Sequence, residues 1–273
     1  MPLPVDSPAR REARAGIKKI AKAIKDLGVD ELDLQQLKSL NIRVDFLSLD
    51  EVSPHRATFF APCPVDQLPD FNDDTVSHPY NGIDDDPKPD SVFYCPGFHR
   101  PLDRSIGINI HLDSYIQSCR YSRYFTGREF PWTSKPVAFY PFTGLYRHSK
   151  PEHGCFCLTD LEDPAYPHVK AIVFNNIALQ AESTLLYGEL LPALRIMLTQ
   201  LRRSQFANQT VSPVLFISLL GLKARIMEFY FSNGTLVVRH TKMFDFTHGN
   251  DEAFKTLAQW YLGDAIGDTV NGV

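Results

Sequence analysis

The dipeptide Asn233-Gly234, set between the runs 224–231 and 235–244, constrains this chain more than any other feature. The tightest hairpin turns need φ > 0 at both central positions, which Asn and Gly tolerate, and their twist matches that of the flanking strands. The two runs are rich in β-branched and aromatic residues and therefore read as an antiparallel pair. Just upstream, Val214–Leu220 is continuously apolar, the pattern of a strand buried on both faces. Leu186, Leu190, Leu194, Met197, Leu198 and Leu201 recur at helical spacing and predict a helix over 176–203, kinked or broken at Pro192. Asn250 or Asp251 caps a final helix with Phe254, Leu257, Ala258 and Tyr261 on one face. The order helix, three strands, helix is the framework on which the rest is read.

At the other end, Ser7 caps a helix, Pro8 suits its first position and Gly28 ends it. Ile17, Ile20, Ala21, Ile24 and Leu27 form its apolar stripe, and Arg10, Arg11, Arg14, Lys18, Lys19, Lys22 and Lys25 are expected to make its exposed side basic. A shorter helix capped by Asp30 and a strand over 42–49 follow. The alternation of Ile106, Ile108, Ile110 and Leu112 with Ser105, Gly107, Asn109 and His111 predicts another strand, as do 137–142, 155–158 and 169–174. The expected fold is α+β: a mixed, mainly antiparallel sheet with helices on one face and an N-terminal helical pair alongside.

Charge divides the chain further. Residues 50–92 carry Asp50, Glu51, Asp66, Asp70, Asp73, Asp74, Asp84, Asp85, Asp86 and Asp90 against Arg56 and Lys88, and are dense in proline, which cannot feed a ladder. They read as an acidic, Pro-rich loop between an N-terminal segment, 1–49, and an α+β core, 93–273, within one compact domain. The net charge of −4 excludes a global polycation. No apolar run is long enough to span a membrane, and residues 1–14 lack a signal-peptide core. With an odd, uneven set of five cysteines, the expected setting is cytoplasmic or nuclear with reduced thiols.

The segments Pro213-Val214-Leu215-Phe216-Ile217-Ser218, Arg225-Ile226-Met227-Glu228, Leu236-Val237-Val238-Arg239 and Asp245-Phe246 resemble a group of filamentous-fungal proteins with no activity attached. The resemblance covers 185–264, in packing motifs, and implies lineage-specific intracellular biology. The element order also matches the core of PD-(D/E)XK nucleases. That chemistry sets an acid on the second strand and an acid-x-Lys on the third to hold magnesium beside a phosphate. The matching residues are Glu228, with Glu182 or Glu189 on the preceding helix, and His240 and Lys242 on the third strand. His240 stands where the acid should be and is a poor ligand for hard magnesium.

Two other constellations carry possible chemistry. His148, His153, Cys155 and Cys157 are soft ligands within ten positions, and Cys-x-Cys on a regular strand points both thiols to one side; the spacing fits no standard zinc module, and small buried thiols are the plainer reading. Cys95, His99, His111 and Asp113 form a looser set. Residues 104–150 interleave cations with aromatics, and Arg120, Arg123, Tyr124, Arg128, Trp132 and Arg147 are the candidate binding surface. Stacking with phosphate neutralisation is how single-stranded nucleic acid is held; alternatively, the acidic loop folds over this patch and neutralises it. Phosphate-loop, dinucleotide and serine-nucleophile motifs are missing from the sequence, so no cofactor is expected. The expected function is an intracellular, non-enzymatic interaction or accessory protein with a protein partner. A nuclease-like enzyme or its degenerate relative, and a nucleic-acid binder, are the alternatives.

Overall fold

The hairpin forms where Asn233-Gly234 places it. In a computed structural model of the chain, Asn233 has φ 50° and Gly234 φ 77°, and the turn joins two strands paired from Ser232↔Thr235 to Met227↔His240. The structure describes residues 6–50, 52–71, 80–92, 94–95, 99–125, 130–137, 139–179 and 181–272, the side chains of 123–125 excepted. Along the chain the elements are α1 (Pro8–Leu27), β1 (Glu31–Leu32), α2 (Leu34–Ser39), β2 (Ile42–Phe46), β3 (Phe60–Ala61), α3 (Pro101–Phe125), β4 (Trp132–Lys135), β5 (His153–Leu161) and β6 (Val169–Asn175). They continue with β7 (Leu185–Leu186), α4 (Tyr187–Gln200), β8 (Val214–Leu220), β9 (Lys223–Ser232), β10 (Thr235–His240), β11 (Phe244–Asp245), α5 (Asp251–Leu262) and β12 (Asp264–Ala265).

The main sheet runs β2-β10-β9-β8-β6-β5-β4, with β11 against β9. The pairs β2/β10 and β6/β8 are parallel and the others antiparallel, so the fold is α+β with a mixed, mainly antiparallel sheet. Because side chains alternate across a strand, the continuous apolar run of β8 splits between two cores. Val214 and Phe216 pack with α1 and α4; Leu215, Ile217 and Leu219 pack with α3 and α5. Helices therefore cover both faces of the sheet instead of one. Two buried faces need two layers, and a helix over 101–125 supplies the second.

That helix is where the period-two reading fails. Residues 106–112 lie inside α3, whose buried stripe is Leu102, Ser105, Ile108, Leu112, Tyr115, Ile116 and Cys119, a 3.6-residue period. Ile106 and Ile110, which a strand would have placed beside Ile108, point outward at 39% and 65% exposure. The helix buries Ile108 and Leu112 and exposes the other two, and the stripe continuing to Cys119 sets the period. The expected strand over 137–142 is likewise absent among the described residues. The ladder lies earlier, at β4, and Val137, Phe142 and Leu145 fill the α1/α4 core from a loop whose Pro136 and Pro141 have no amide to donate.

At the N-terminus, Ser7 Oγ accepts from Arg10 N, and Gly28 closes α1 at φ 64°. The cap of α2 is Asp33, not Asp30, with Gln36 returning a bond to the Asp33 amide. The two helices do not pair with each other as their main contact: α1 lies along α4, and α2 against β2. Arg10 and Arg14 of α1 donate to the carbonyls of Arg203 and Leu201 just past the end of α4, where the helix dipole favours cations. α4 itself starts at Tyr187, eleven residues later than the sequence spacing suggested, and continues through Pro192. The residues ahead of it, Leu185 and Leu186, pair instead with Leu32 and Glu31.

The start of α4 sits tightly on the sheet. A Cβ at Gly188 would lie 2.1 Å from Asn175 Oδ1 and 2.6 Å from His153 Cβ. Gly188→Ala is expected to cost about 1–3 kcal/mol by overpacking, and to lower the melting temperature by roughly 2–4 °C for each of those kcal/mol. Thermal unfolding followed by circular dichroism measures it, and an unchanged midpoint would refute the close approach.

Candidate functional site

The acids of the nuclease-like set stand on opposite faces of the sheet. On β9, odd positions face α4 and even positions face α3 and α5. Glu189, at the start of α4, is fully buried. Its carboxylate accepts from Leu186 N at 2.9 Å, Ser218 Oγ at 2.8 Å and Arg225 Nε at 2.9 Å, with a further short contact from Arg225 Nη2. Arg225 also donates from Nη1 to the Glu182 carbonyl and from Nη2 to the Thr184 carbonyl. Glu228, three residues on, faces the other layer and accepts from Thr58 N at 2.8 Å and Phe59 N at 2.7 Å, with Arg239 at 3.8 Å. Burial pushes the Glu228 carboxyl up, and the two amides and Arg239 oppose that shift.

The remaining members do not complete an acid-lysine site. His240 turns its Nδ1 to the Thr241 carbonyl at 2.9 Å and is held below its ordinary pKa, chiefly by burial. Lys242 lies beyond the end of β10 on the exposed surface. The sequence placed these four within one motif; the sheet distributes them between two cores and the solvent.

The soft-ligand set is split by a bulge. On β5, Cys155 opposes Val173 while Cys157 opposes Ile172, so the register shifts between them. One inserted residue turns the next side chain to the other face. Cys155 enters the α1/α4 core and Cys157 the α3/α5 core, where its sulfur meets Tyr261 Oη at 3.3 Å. The expectation that both thiols point one way is thus corrected. Burial raises the Cys155 thiol well above its ordinary pKa and that of Cys157 to about 11. His148 is exposed, and His153 is buried with Nδ1 3.3 Å from the Pro151 carbonyl. Among the described residues no group of three or more His, Cys, Asp or Glu is placed to hold a metal ion.

The aromatic-basic surface is also partly internal. Trp132 is 3% exposed, donates Nε1–H to the Gly263 carbonyl at 2.8 Å, and lies 4.1 Å under the Lys170 ammonium. Arg120 covers the Phe130 ring at 4.3 Å, and Arg147 covers Tyr187 at 5.1 Å while donating to Ser149 and Lys150. The side chains of Arg123 and Tyr124, and Arg128 as a whole, lie outside the described residues. Among the described residues the acidic loop meets this region at Arg104 and at Tyr115, whose hydroxyl donates to the Pro69 carbonyl at 2.6 Å. Within the loop, Phe59 and Phe60 join the α3/α5 core, Asp86 grips Arg104 with two bonds of 2.5 Å, Asp84 meets His248 at 2.8 Å, and Asp70 faces Lys255 at 3.6 Å. Of the cations in 104–150, Arg104 is the one these contacts neutralise.

Where this loop meets α3, Tyr80, Gly82, Asp86, Cys95, His99, Asp103, Arg104 and Gly107 line a cavity of about 340 Å³. It brings two carboxylates, an arginine, a histidine and a thiol to one concavity. Its charges are nonetheless mutually engaged: His99 Nδ1 lies 2.6 Å from Arg104 Nη2, and Asp103 receives Arg100. The buried charged residues that the sequence did not single out are Arg225, Asp160 and Lys170. Asp160 is held by Arg203 at 2.5 Å and Lys135 at 3.4 Å. Lys170 is fully buried and donates to the carbonyls of Trp260, Tyr261 and Gly263, closing the end of α5. The signal for all three was a charge inside an otherwise apolar strand. Compared with known proteins, the chain matches no family model, no curated protein and no solved structure.

Two buried histidines give the fold its pH limit. His153 and His168 are both held to about pKa 4, first by burial; Ile266 O lies 3.0 Å from His168 Nε2. Unfolding frees them to a value near 6.5, so between about pH 6.5 and 4 the unfolded chain binds more protons than the folded one. Stability is then complete above about pH 6.5 and falls as the pH drops toward 4, by on the order of 3 kcal/mol for His168 alone. Urea unfolding at a series of pH values tests this, and His168→Gln should flatten the slope. A midpoint constant from pH 7 to 4.5 would contradict it.

Proposed function

We propose that this chain is a non-enzymatic interaction or accessory protein, acting in the cytoplasm or nucleus through its surface charge. The observation that carries the reading is the engagement of its candidate catalytic acids. Glu189 and Glu228 face opposite layers, each with its oxygens taken by structural donors. Magnesium-dependent phosphate chemistry needs carboxylates converging on one open point. Further support comes from Trp132, whose indole is spent inside the core instead of offering a stacking platform. No helix in the described residues is long and apolar enough to cross a membrane.

The purified protein, given plasmid DNA and labelled single strands with magnesium, is expected to cut neither and to retain neither in a salt-dependent way. Affinity capture from native cells is expected to return a stoichiometric protein partner. Magnesium-dependent nicking that disappears in Glu228→Gln would overturn this reading in favour of a nuclease. Retention that falls steeply with salt would overturn it in favour of nucleic-acid binding.

A further inference from the structure

The main sheet ends at β2 on one side and at β4 on the other. A sheet edge presents a row of unpaired backbone groups, and proteins blunt such edges with proline, lysine or a bulge. β4 is blunted in this way: Pro131 and Pro136 bracket it, and Lys135 lies on it. β2, Ile42–Phe46, carries none of these devices. It pairs with β10 in parallel and in unbroken register. Leu236 N donates to Asn41 O at 3.0 Å and Leu47 N to His240 O at 2.8 Å, which turns the odd positions of β2 toward β10. The amides and carbonyls of Ile42, Val44 and Phe46 therefore point to the open edge. Among the described residues no hydrogen bond is made to them there.

The side chains of this edge complement themselves. Set antiparallel to a second β2 about Val44, the strand puts Ile42 opposite Phe46, Arg43 opposite Asp45 and Val44 opposite itself. Residues directly opposite lie about 4.5–5.5 Å apart at Cβ, within reach for ion pairs and apolar pairs alike. The outward backbone groups of Ile42, Val44 and Phe46 then face one another and exchange N–H···O bonds. Moving the two-fold by one residue either way sets Arg43 against Arg43 or Asp45 against Asp45, which is unfavourable. Charge therefore selects one register. Within the chain Arg43 donates from Nε to Asp45 Oδ2 at 3.0 Å, and Arg239 lies 3.9 Å from that same oxygen. The Nη groups of Arg43 and Oδ1 of Asp45 make no hydrogen bond among the described residues, so the internal pair can persist while these atoms bond across the edge. Phe46, at 49% exposure, is the large apolar side chain that such pairing covers.

We infer that β2 is the docking edge for a second copy of this chain, the two sheets joining antiparallel about Val44 into one continuous sheet. The contact is isologous and closed, so it yields a dimer and not a fibre. A pair of such short strands falls below the roughly 1,000 Å² that a lasting interface buries, and the dimer is accordingly weak and concentration-dependent. The inference goes beyond the proposed function and does not depend on it, because the edge pairs with its own copy whatever other protein the chain binds.

Sedimentation velocity of the full chain, from low to high micromolar concentration, is expected to show a monomer–dimer equilibrium. Amide hydrogen exchange read by NMR then locates the contact. Raising the concentration is expected to slow exchange at Val44 and Phe46, while Arg43 and Asp45, already bonded to β10, stay unchanged. Arg43→Asp sets like charges opposite one another at both ion pairs, as does Asp45→Arg, and each is expected to weaken self-association by about tenfold. Mixed in equal amounts, the two variants are expected to form a heterodimer, since the aspartates of one strand then face the arginines of the other. Arg43→Asp combined with Asp45→Arg in one chain restores the opposite-charge pairing and is expected to dimerise again. Either recovery also shows that the altered chains fold. A wild type that is monomeric at every concentration, or protection confined to other amides, would overturn the inference and leave the proposed function untouched. Single variants that dimerise like wild type, or a mixture and a combined variant that both fail to recover, would overturn it as well.

Discussion

The ion pair between Arg225 and Glu189 ties the start of α4 to the central strands of the sheet. Both side chains are fully excluded from solvent. Removing two charges from water is costly, and the cost is met only where every remaining donor and acceptor finds a partner. Here they do. Glu189 closes the first turn of α4 through Leu186 N and accepts from Ser218 on β8, while Arg225 on β9 reaches the carbonyls of Glu182 and Thr184 ahead of β7. One pair thus fixes the helix, two central strands and the entering chain relative to one another. Without it, the near-contact of Gly188 with Asn175 and His153 has no anchor.

The other face repeats the device with different residues. Glu228 gathers the amides of Thr58 and Phe59 and so ties the acidic loop to β9, and Lys170 binds three carbonyls at the end of α5. Charged side chains within apolar strands act as clamps on the overlying layers. This is why residue types that suggest catalysis in the sequence are spent on architecture in the fold. A carboxylate whose lone pairs are filled by fixed donors has none left for a metal.

Local chemistry made the C-terminal half legible. The turn at Asn233-Gly234, the apolar run of β8 and the capped α5 each carry their own signal, as do Ser7 and Gly28 around α1. What could not be read depends on tertiary context. Ile106 to Leu112 alternate as a strand would, and the second buried face of the sheet selects the helix. The Phe156 bulge leaves no local mark, yet it sends Cys155 and Cys157 into different cores. The separation of Glu189 from Glu228 follows from strand parity against α4, which a motif search along the chain does not contain.

The central claim is that the buried charges are structural clamps, and a double-mutant cycle on Glu189 and Arg225 tests it most directly. Urea unfolding would compare wild type, Glu189→Leu, Arg225→Leu and the double substitution. Each single change should cost about 3–5 kcal/mol by stranding its partner, and the double should recover a large part of that loss. Strictly additive costs, or single variants as stable as wild type, would contradict the account.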